Sequence, residues 1–268
     1  QFVDWLTVFK TMATINEKIK ILVLGDSGVG KSSLVHLICH SETLARTRWT
    51  IGCAIDIKLY RYKEGSPQEK TCFIEFWDVG GSRSHSIARK IFFNSFHGII
   101  LVQDLTNRKS ESNLKNWLGQ ALVGTYNNNN DKERFYSNSL SQALFPVSDN
   151  DDFEHDSESF VGLNIPILIV ATKQDLVAAN VSTKTNLVDL LHCDSIQLNC
   201  RNPKSLSPGT TNAVKLSRFL DHVCDKRLQS CSSVNLSNDK NVYLRQSSSS
   251  SSSYYYYPNN PNNNNKMH

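Results

Sequence analysis

Eight residues near the start of the chain constrain its fold more than any other segment. Residues 25–32 read Gly-Asp-Ser-Gly-Val-Gly-Lys-Ser, the pattern G-x-x-x-x-G-K-[ST], and they follow the apolar run 19–24 directly. Residues 31–38 then have the apolar spacing of a helix. Glycines let the backbone between a strand and a helix curl so that its N–H groups point inward, which is the geometry that cradles phosphate. The octapeptide therefore predicts a nucleotide phosphate site between a strand and a helix.

The loop and the first helical turn supply the expected phosphate contacts, and the helix N-terminus adds a positive dipole end below them. Lys31 is expected to reach the outer phosphates, and the Ser32 hydroxyl can ligate Mg²⁺. The candidate phosphate-binding residues are Asp26, Ser27, Gly28, Val29, Gly30, Lys31, Ser32 and Ser33.

The composition of the 268 residues changes along the chain. Residues 247–253 are all Ser, 254–257 are all Tyr, and 258–265 contain only Pro and Asn. Because such segments cannot build a packed core, we expect 228–268 to be a disordered tail. We also expect 1–17 to be a disordered extension, with Met12 as a candidate start. One domain should then cover 18–227, interrupted at about 124–162 by a disordered, acidic insert that does not fit an EF-hand.

Charge and cysteine content exclude several classes of protein. The formal net charge of +4 comes from scattered basic residues, so nothing in the chain calls for nucleic acid or an anionic membrane. The seven cysteines form no C-x-x-C pair, which is typical of reduced thiols in a cytosolic protein. The longest apolar runs, such as 165–171, are too short to cross a bilayer. We therefore expect a soluble, cytoplasmic protein.

The apolar patterns predict an α/β fold with a mostly parallel sheet covered on both faces. Residues 55–60 and 71–77 alternate in polarity, which is typical of an antiparallel hairpin. The runs 98–102 and 165–171 are continuously apolar, as expected of strands buried in a parallel sheet. Helices are predicted at 84–95, 110–122, 184–192 and 209–226. In such a fold, ligands bind at the C-terminal ends of the strands.

Two further segments supply oxygen ligands and phosphate contacts. Residues 78–81 form D-x-x-G after a strand, in which Asp78 can hold Mg²⁺ through water and the Gly81 amide can meet a terminal phosphate. Thr50 lies eighteen positions after Ser32 in a polar loop and offers a second hydroxyl. The predicted metal site is therefore Ser32, Thr50 and Asp78.

A fourth segment, Ala-Thr-Lys-Gln-Asp at 171–175, closes an apolar strand. The Asp175 carboxylate can accept hydrogen bonds from both N1–H and N2–H₂ of guanine, and the Lys173 stem can lie across the base. Taken alone, K-x-D also fits an ordinary polar loop. In a phosphate-loop domain it favours guanine over adenine.

These motifs resemble those of the Ras-superfamily small GTPases, and most of all the Rab branch, over about residues 18–227. Residues 77–100 resemble Rab switch II without a gap, and 49–52 resemble switch I. Five short segments, at 49–53, 62–65, 77–82, 104–107 and 212–219, resemble one Rab-like protein more narrowly. The resemblance implies the small-GTPase fold, a mostly parallel six-stranded sheet with one antiparallel edge strand.

The same resemblance implies GTP or GDP with Mg²⁺ as ligands, and effector or regulatory proteins bound through the switch segments. It gives catalytic roles to Lys31, Thr50 and Gly81. Base contacts are implied for Thr172, Lys173, Asp175, Cys200 and Arg201.

Two positions and the last four residues depart from the family pattern. Ser82 stands where the family has a water-orienting Gln, and its hydroxyl is about two bonds too short for that task, so we expect slow hydrolysis. Thr172 replaces an Asn whose amide bonds both the base and the phosphate loop, which should weaken binding by about 1 kcal/mol. Residues 265–268 contain no lipidation motif, so we expect no stable membrane anchor.

Two questions stay open at this point. The apolar residues Ile87, Ile91, Phe92 and Phe93 have helix-like spacing, and they either face the core or form a contact surface for a partner or a second copy. The chain is a GTP-binding switch with slow hydrolysis in signalling or trafficking, or else a non-cycling scaffold or dimerisation module stabilised by GTP. An ATP-dependent kinase is a more distant alternative.

Overall fold

Six strands form one sheet in which only the edge strand β2 is antiparallel to its neighbour. The computed structural model describes residues 18–126, 164–178 and 186–247. The order of the strands across the sheet is β2-β3-β1-β4-β5-β6. Their bounds are β1 (Lys18–Leu24), β2 (Cys53–Tyr62), β3 (Lys70–Val79), β4 (Gly98–Asp104), β5 (Ile167–Thr172) and β6 (Asp194–Gln197).

This sheet confirms the predicted architecture. The expected hairpin is the pair β2 and β3, which stays in register from Cys53 opposite Val79 to Tyr62 opposite Lys70. The remaining neighbours pair in parallel, as the continuously apolar strands predicted. The sequence patterns located five of the six strands. They missed β6, which is four residues long and has one buried side chain.

Helices connect the strands, and two of the predicted helices are interrupted. The α-helices are α1 (Lys31–His40), α2 (Ser86–Arg89), α3 (Arg108–Ser112), α4 (Leu114–Tyr126), α5 (Asn186–Leu191) and α6 (Thr211–Ser247). The predicted helix at 110–122 is divided between α3 and α4. Helix α6 extends past its predicted end at 226.

The prediction of one helix over 84–95 is wrong. The segment holds two 3₁₀ turns, Arg83–His85 and Lys90–Phe92, on either side of the single turn α2. Neither a capping side chain nor an acidic residue stabilises the first turn of α2. Such a short, uncapped helix gains little from its own hydrogen bonds, so its conformation depends on what it packs against.

Alternation along β1 sends side chains to two separate cores, one on each face of the sheet. Ile21 and Val23 point into the first core, which α1 and α6 cover. Leu22 and Leu24 point into the second, which α4 and α5 cover. Close packing of α6 requires Gly98 in β4, because a Cβ there would lie 2.7 Å from Val223 Cγ2.

The chain divides into two units, Gln1–Leu228 and Gln229–His268. The predicted N-terminal extension, most of the acidic insert and the end of the tail lie outside the described residues, and the predicted domain bounds remain a prediction. No helix in the described part of the chain is both long and apolar enough to cross a bilayer.

Candidate nucleotide site

The phosphate loop joins β1 to α1 through glycines that other residues cannot replace. Gly30 has φ 98° and precedes the first residue of α1. Gly25 has φ 151°, and a Cβ on it would collide with the carbonyl of Val102. No described side chain caps α1, and its first turn holds no acidic residue. Its first N–H groups are thus suited to an anionic ligand.

Lys31 lies across this loop. Its Nζ donates hydrogen bonds to the carbonyl oxygens of Gly25 and Asp26, both at 2.8 Å. Burial lowers the pKa of Lys31 to about 8, while the nearby charges of Asp78 and Asp26 oppose the shift. A phosphate would favour the charged form of this amine, because it adds negative charge beside it.

The three predicted metal ligands converge, although they come from three different segments. Ser32 Oγ donates to Asp78 Oδ2 at 2.6 Å, and Thr50 Oγ1 donates to the same oxygen at 3.0 Å. The two hydroxyl oxygens are 3.1 Å apart. Helix α1, the loop before β2 and the end of β3 therefore meet at one point.

This oxygen cluster fits Mg²⁺. Asp78 is only 2% exposed, and its Oδ1 is buried without a hydrogen-bond partner among the described residues. A buried carboxylate oxygen in that state is costly unless a cation or another donor meets it. Carboxylate and hydroxyl oxygens are the ligands of hard cations such as Mg²⁺. Ser32, Thr50 and Asp78 would hold the ion, which when bound would neutralise charge on the nucleotide phosphates.

Gly81 lies directly against the phosphate loop. A Cβ at this position would collide with the backbone of Asp26 and Ser27. The preceding Gly80 donates its N–H to the carbonyl of Gly52 at 2.8 Å, which ties the segment after β3 to the loop before β2. The two predicted switch segments are thus in backbone contact with each other at the phosphate end of the site.

Ser82 follows this contact, at the position where the sequence predicts impaired catalysis. Its hydroxyl lies 2.7 Å from the hydroxyl of Ser84, and its carbonyl accepts a hydrogen bond from Arg89 at 2.6 Å. The hydroxyl and the carbonyl of Ser82 are therefore both engaged within the same segment.

Thr172, at the end of β5, contacts the phosphate loop. Its hydroxyl oxygen lies 2.5 Å from the Val29 carbonyl and 3.1 Å from the Gln103 carbonyl, so the single proton goes to the nearer acceptor. Although Thr172 lacks the amide of the family's Asn, its hydroxyl keeps a contact with the phosphate loop. The shorter side chain reaches because Gly30 leaves room beside it.

Lys173 begins the candidate base-binding segment in the left-handed conformation, with φ 59°. Its Nζ forms an ion pair with Asp104 Oδ2 at 2.6 Å. Burial acts to raise the pKa of Asp104, but hydrogen bonds from Lys173 and Thr106 outweigh it and lower that pKa. The ion pair fixes the lysine stem at the end of β5, and Asp175 follows it with an exposed side chain.

The loop after β6 lies beside this segment. The Leu198 N–H donates to the Ala171 carbonyl at 2.9 Å. Burial, and then the charge of Asp175, raises the pKa of the Cys200 thiol to about 12. Arg201 is exposed, and its backbone N–H donates to Asn199 Oδ1 at 2.8 Å. The candidate base contacts thus come from neighbouring loops at one edge of the sheet.

The sequence motifs did not reveal the two side chains that hold the Asp26 carboxylate in place. Asn113 Nδ2 and Trp117 Nε1 donate to the two carboxylate oxygens of Asp26, at 2.7 and 2.8 Å. The guanidinium of Arg89 lies 4.4 Å from the Trp117 ring and donates to Ser82. Asn113 and Trp117 are four residues apart, and this spacing could have indicated that they lie on one helical face. Nothing in the sequence indicated that Arg89 would be buried against them.

The sheet order, the phosphate loop and the converging oxygens together define a phosphate-loop domain of the small-GTPase class. The family model described as "Roc: Ras of Complex, Roc, domain of DAPkinase" matches residues 20–131.

Relatives place the chain more narrowly. It is 45% identical over 220 residues to Rab-like protein 3 of Bos taurus, covering 79% of this chain and 86% of that protein. Identity to Rab-like protein 3 of Homo sapiens is 44% over 220 residues, with the same coverage of 79% and 86%. Small GTPase LIP1 of Arabidopsis thaliana is 33% identical over 192 residues, which span 66% of this chain and 48% of that protein. The chain belongs to the Rab-like small GTPases of the Ras superfamily, a GTP-binding family, which confirms the resemblance seen in its motifs.

Proposed function

We propose that this protein is a guanine-nucleotide switch in intracellular signalling or trafficking. It binds GTP or GDP with Mg²⁺ and contacts effector or regulatory proteins through its two switch segments. One observation supports this most strongly: large apolar side chains are exposed directly beside one of the three residues of the predicted Mg²⁺ site.

That residue is Thr50, which hydrogen-bonds to Asp78 and lies 3.1 Å from the Ser32 hydroxyl. Its neighbours on either side, Trp49 and Ile51, are 93% and 83% exposed. Any movement of Thr50 when the terminal phosphate is lost must move both apolar side chains, because they share its backbone. This coupling gives a partner different contacts in the two nucleotide states, as a switch requires.

The exposed apolar surface continues beyond switch I. In β2, the alternate residues Ile55, Ile57 and Leu59 are each half-exposed or more. In switch II, Ile87 and Ile91 are exposed while Phe93 is buried and Phe92 is half-buried. Two of these four residues therefore pack toward the core, and the other two are accessible to a partner. Apolar surface of this extent favours a protein partner.

We infer slow intrinsic hydrolysis from Ser82. Its hydroxyl lies 2.7 Å from that of Ser84 and is shorter than the Gln that orients water in the family. GTP should therefore stay bound for long periods unless another protein assists its cleavage.

We further propose a cytoplasmic location and no nucleic-acid partner. Cys39, Cys53, Cys72, Cys193, Cys200 and Cys224 form no disulfide, which suits a reducing compartment. The mild net charge of +4 does not favour a polyanion.

The test compares the protein loaded with GDP and with a non-hydrolysable GTP analogue. We expect amide hydrogen exchange over 41–52 and 82–92 to differ between the two states. Partner proteins retained only with the analogue should be lost with Trp49→Ser, a variant that leaves the contacts of Thr50 in place. Equal exchange and equal retention in both states would favour a non-cycling scaffold instead. Self-association that ignores the nucleotide in analytical centrifugation would favour a dimerisation module, and displacement of GTP by ATP would favour a kinase.

A further inference from the structure

Three potential metal ligands cluster near the C-terminal end of α1. His36 and His40 are four residues apart in α1 and so share one face of the helix. Asp56 of β2 lies opposite, with its Oδ1 3.3 Å from His40 Nε2. The two imidazole centroids are 4.6 Å apart. One ligand atom from each side chain lies within 4.8 Å of the other two.

These separations suit tetrahedral coordination. Two ligands bound to Zn²⁺ at about 2.0–2.1 Å are about 3.3–3.4 Å apart, which the pair formed by His40 and Asp56 already matches. The widest separation, at most 4.8 Å, must close by about 1.5 Å, a distance that rotation of an imidazole can supply. The side chains of His40 and Asp56 are 46% and 40% exposed, so they are free to make this adjustment.

The ligand types select the metal. Imidazole nitrogen suits Zn²⁺ and other first-row transition metals, whereas Mg²⁺ prefers oxygen and keeps its waters. The cluster formed by Ser32, Thr50 and Asp78 is all oxygen. The chain thus carries two clusters of different chemistry, so excess Mg²⁺ should fill the first without competing for the second.

We propose that His36, His40 and Asp56 bind a divalent transition metal, Zn²⁺ in the first place, that fastens α1 to β2. Three protein ligands leave a fourth position open to water. Lys58 does not block the site, since its amine donates to the Ile38 carbonyl at 2.8 Å. That contact joins the same two elements, so the metal would reinforce a junction that already exists.

The junction matters because of what lies between its two sides. Residues 41–52 connect α1 to β2 and carry Thr50 with its exposed apolar neighbours. A metal that holds His40 to Asp56 fixes both ends of this loop and should slow the opening that releases nucleotide. This second part rests on the proposed role of Thr50, whereas the binding of the metal does not.

Zinc binding to the full-length, GDP-loaded protein in excess Mg²⁺ tests the site. Competition with a chromophoric chelator should give one Zn²⁺ per chain, and His40→Gln and Asp56→Asn should each weaken it about tenfold or more. His85→Gln, an exposed histidine in the 3₁₀ turn Arg83–His85, should leave it unchanged. Stoichiometric GDP in every variant verifies that each is folded.

Cobalt separates this site from adventitious binding to cysteine. Co²⁺ bound by nitrogen and oxygen should show visible bands that His40→Gln removes, without the near-ultraviolet bands of a thiolate. Equal affinity in wild type and both cluster variants, or thiolate bands in the cobalt protein, would overturn the site. For the second part, Zn²⁺ should slow the release of fluorescent GDP in wild type and not in His40→Gln. An unchanged rate in wild type would overturn the proposed effect of the metal on nucleotide release, without affecting the proposal that the protein is a nucleotide switch.

Discussion

Replacing Thr172 by Val should destabilise the phosphate loop and weaken the binding of nucleotide. Thr172 is 1% exposed, and its hydroxyl donates to the Val29 carbonyl at 2.5 Å. Valine has nearly the same shape, so it opens no cavity but withdraws the proton from a buried carbonyl. The expected loss of unfolding free energy is about 1–3 kcal/mol. Because Val29 lies within the phosphate loop, part of this loss should also weaken nucleotide binding. A loss of about 1.4 kcal/mol in binding free energy would raise the GDP dissociation constant about tenfold.

The measurements are urea unfolding of the nucleotide-free protein and displacement of fluorescent GDP. Thr172→Ser is the matched control, since it keeps the hydroxyl and removes one methyl group. It should lower the unfolding free energy by about 1 kcal/mol and leave GDP affinity close to that of wild type. The reasoning fails if the valine variant binds GDP as tightly as wild type, or if the serine variant binds as weakly as valine.

Three further changes probe other parts of the site. Arg89→Met should lower the unfolding free energy by about 1–3 kcal/mol in urea and alter Trp117 fluorescence, because the buried guanidinium donates to a carbonyl and covers that ring. Raising the pH from 7 to 9 should weaken GDP binding about tenfold in displacement assays, since Lys31, with a pKa of about 8, loses the charge that phosphate needs. Asp175→Asn should raise the GDP dissociation constant by about ten- to a hundredfold, because one of the two acceptor oxygens that the proposed guanine contact needs becomes a donor.

Each of these predictions has its own check. Arg83→Met, at an exposed position, should change neither stability nor fluorescence. In the nucleotide-free protein, by contrast, folding stability should rise with pH between the Lys31 pKa of about 8 and the usual value of 10.5. In this range Lys31 binds more protons in the unfolded state than in the folded state, so a higher pH favours the folded state. GDP affinity that is flat from pH 7 to 9, or unaffected by Asp175→Asn, would contradict the assigned roles.

Much of the site could be predicted because its motifs sit at fixed places in the fold. The phosphate loop follows β1 and Asp78 lies near the end of β3, while Asp175 follows β5. Parallel strands bring their C-terminal ends to one edge of the sheet, so motifs far apart in sequence meet there. The meeting of Ser32 and Asp78 follows from that rule. Thr50 joins them because β2 is antiparallel to β3 and begins at the same edge, with Cys53 opposite Val79.

The rest depends on tertiary contacts that leave no periodic trace. The approach of Arg89 to Trp117 joins two segments whose spacing says nothing about their distance. The helix predicted at 84–95 was wrong for a related reason. Its apolar residues have the spacing of a buried helical face, although Ile87 and Ile91 are exposed. Only the position of Thr172 against Gly30 shows that a hydroxyl can replace a longer amide.

Hydrolysis of bound GTP tests the central claim most directly, namely that the site holds GTP well and cleaves it slowly. Wild type and Ser82→Gln, each loaded with GTP and Mg²⁺, are followed in a single turnover by chromatography of the bound nucleotide. We predict that wild type still holds mostly GTP when the glutamine variant has converted most of its nucleotide to GDP. Wild-type conversion that is faster than that of Ser82→Gln would contradict the account.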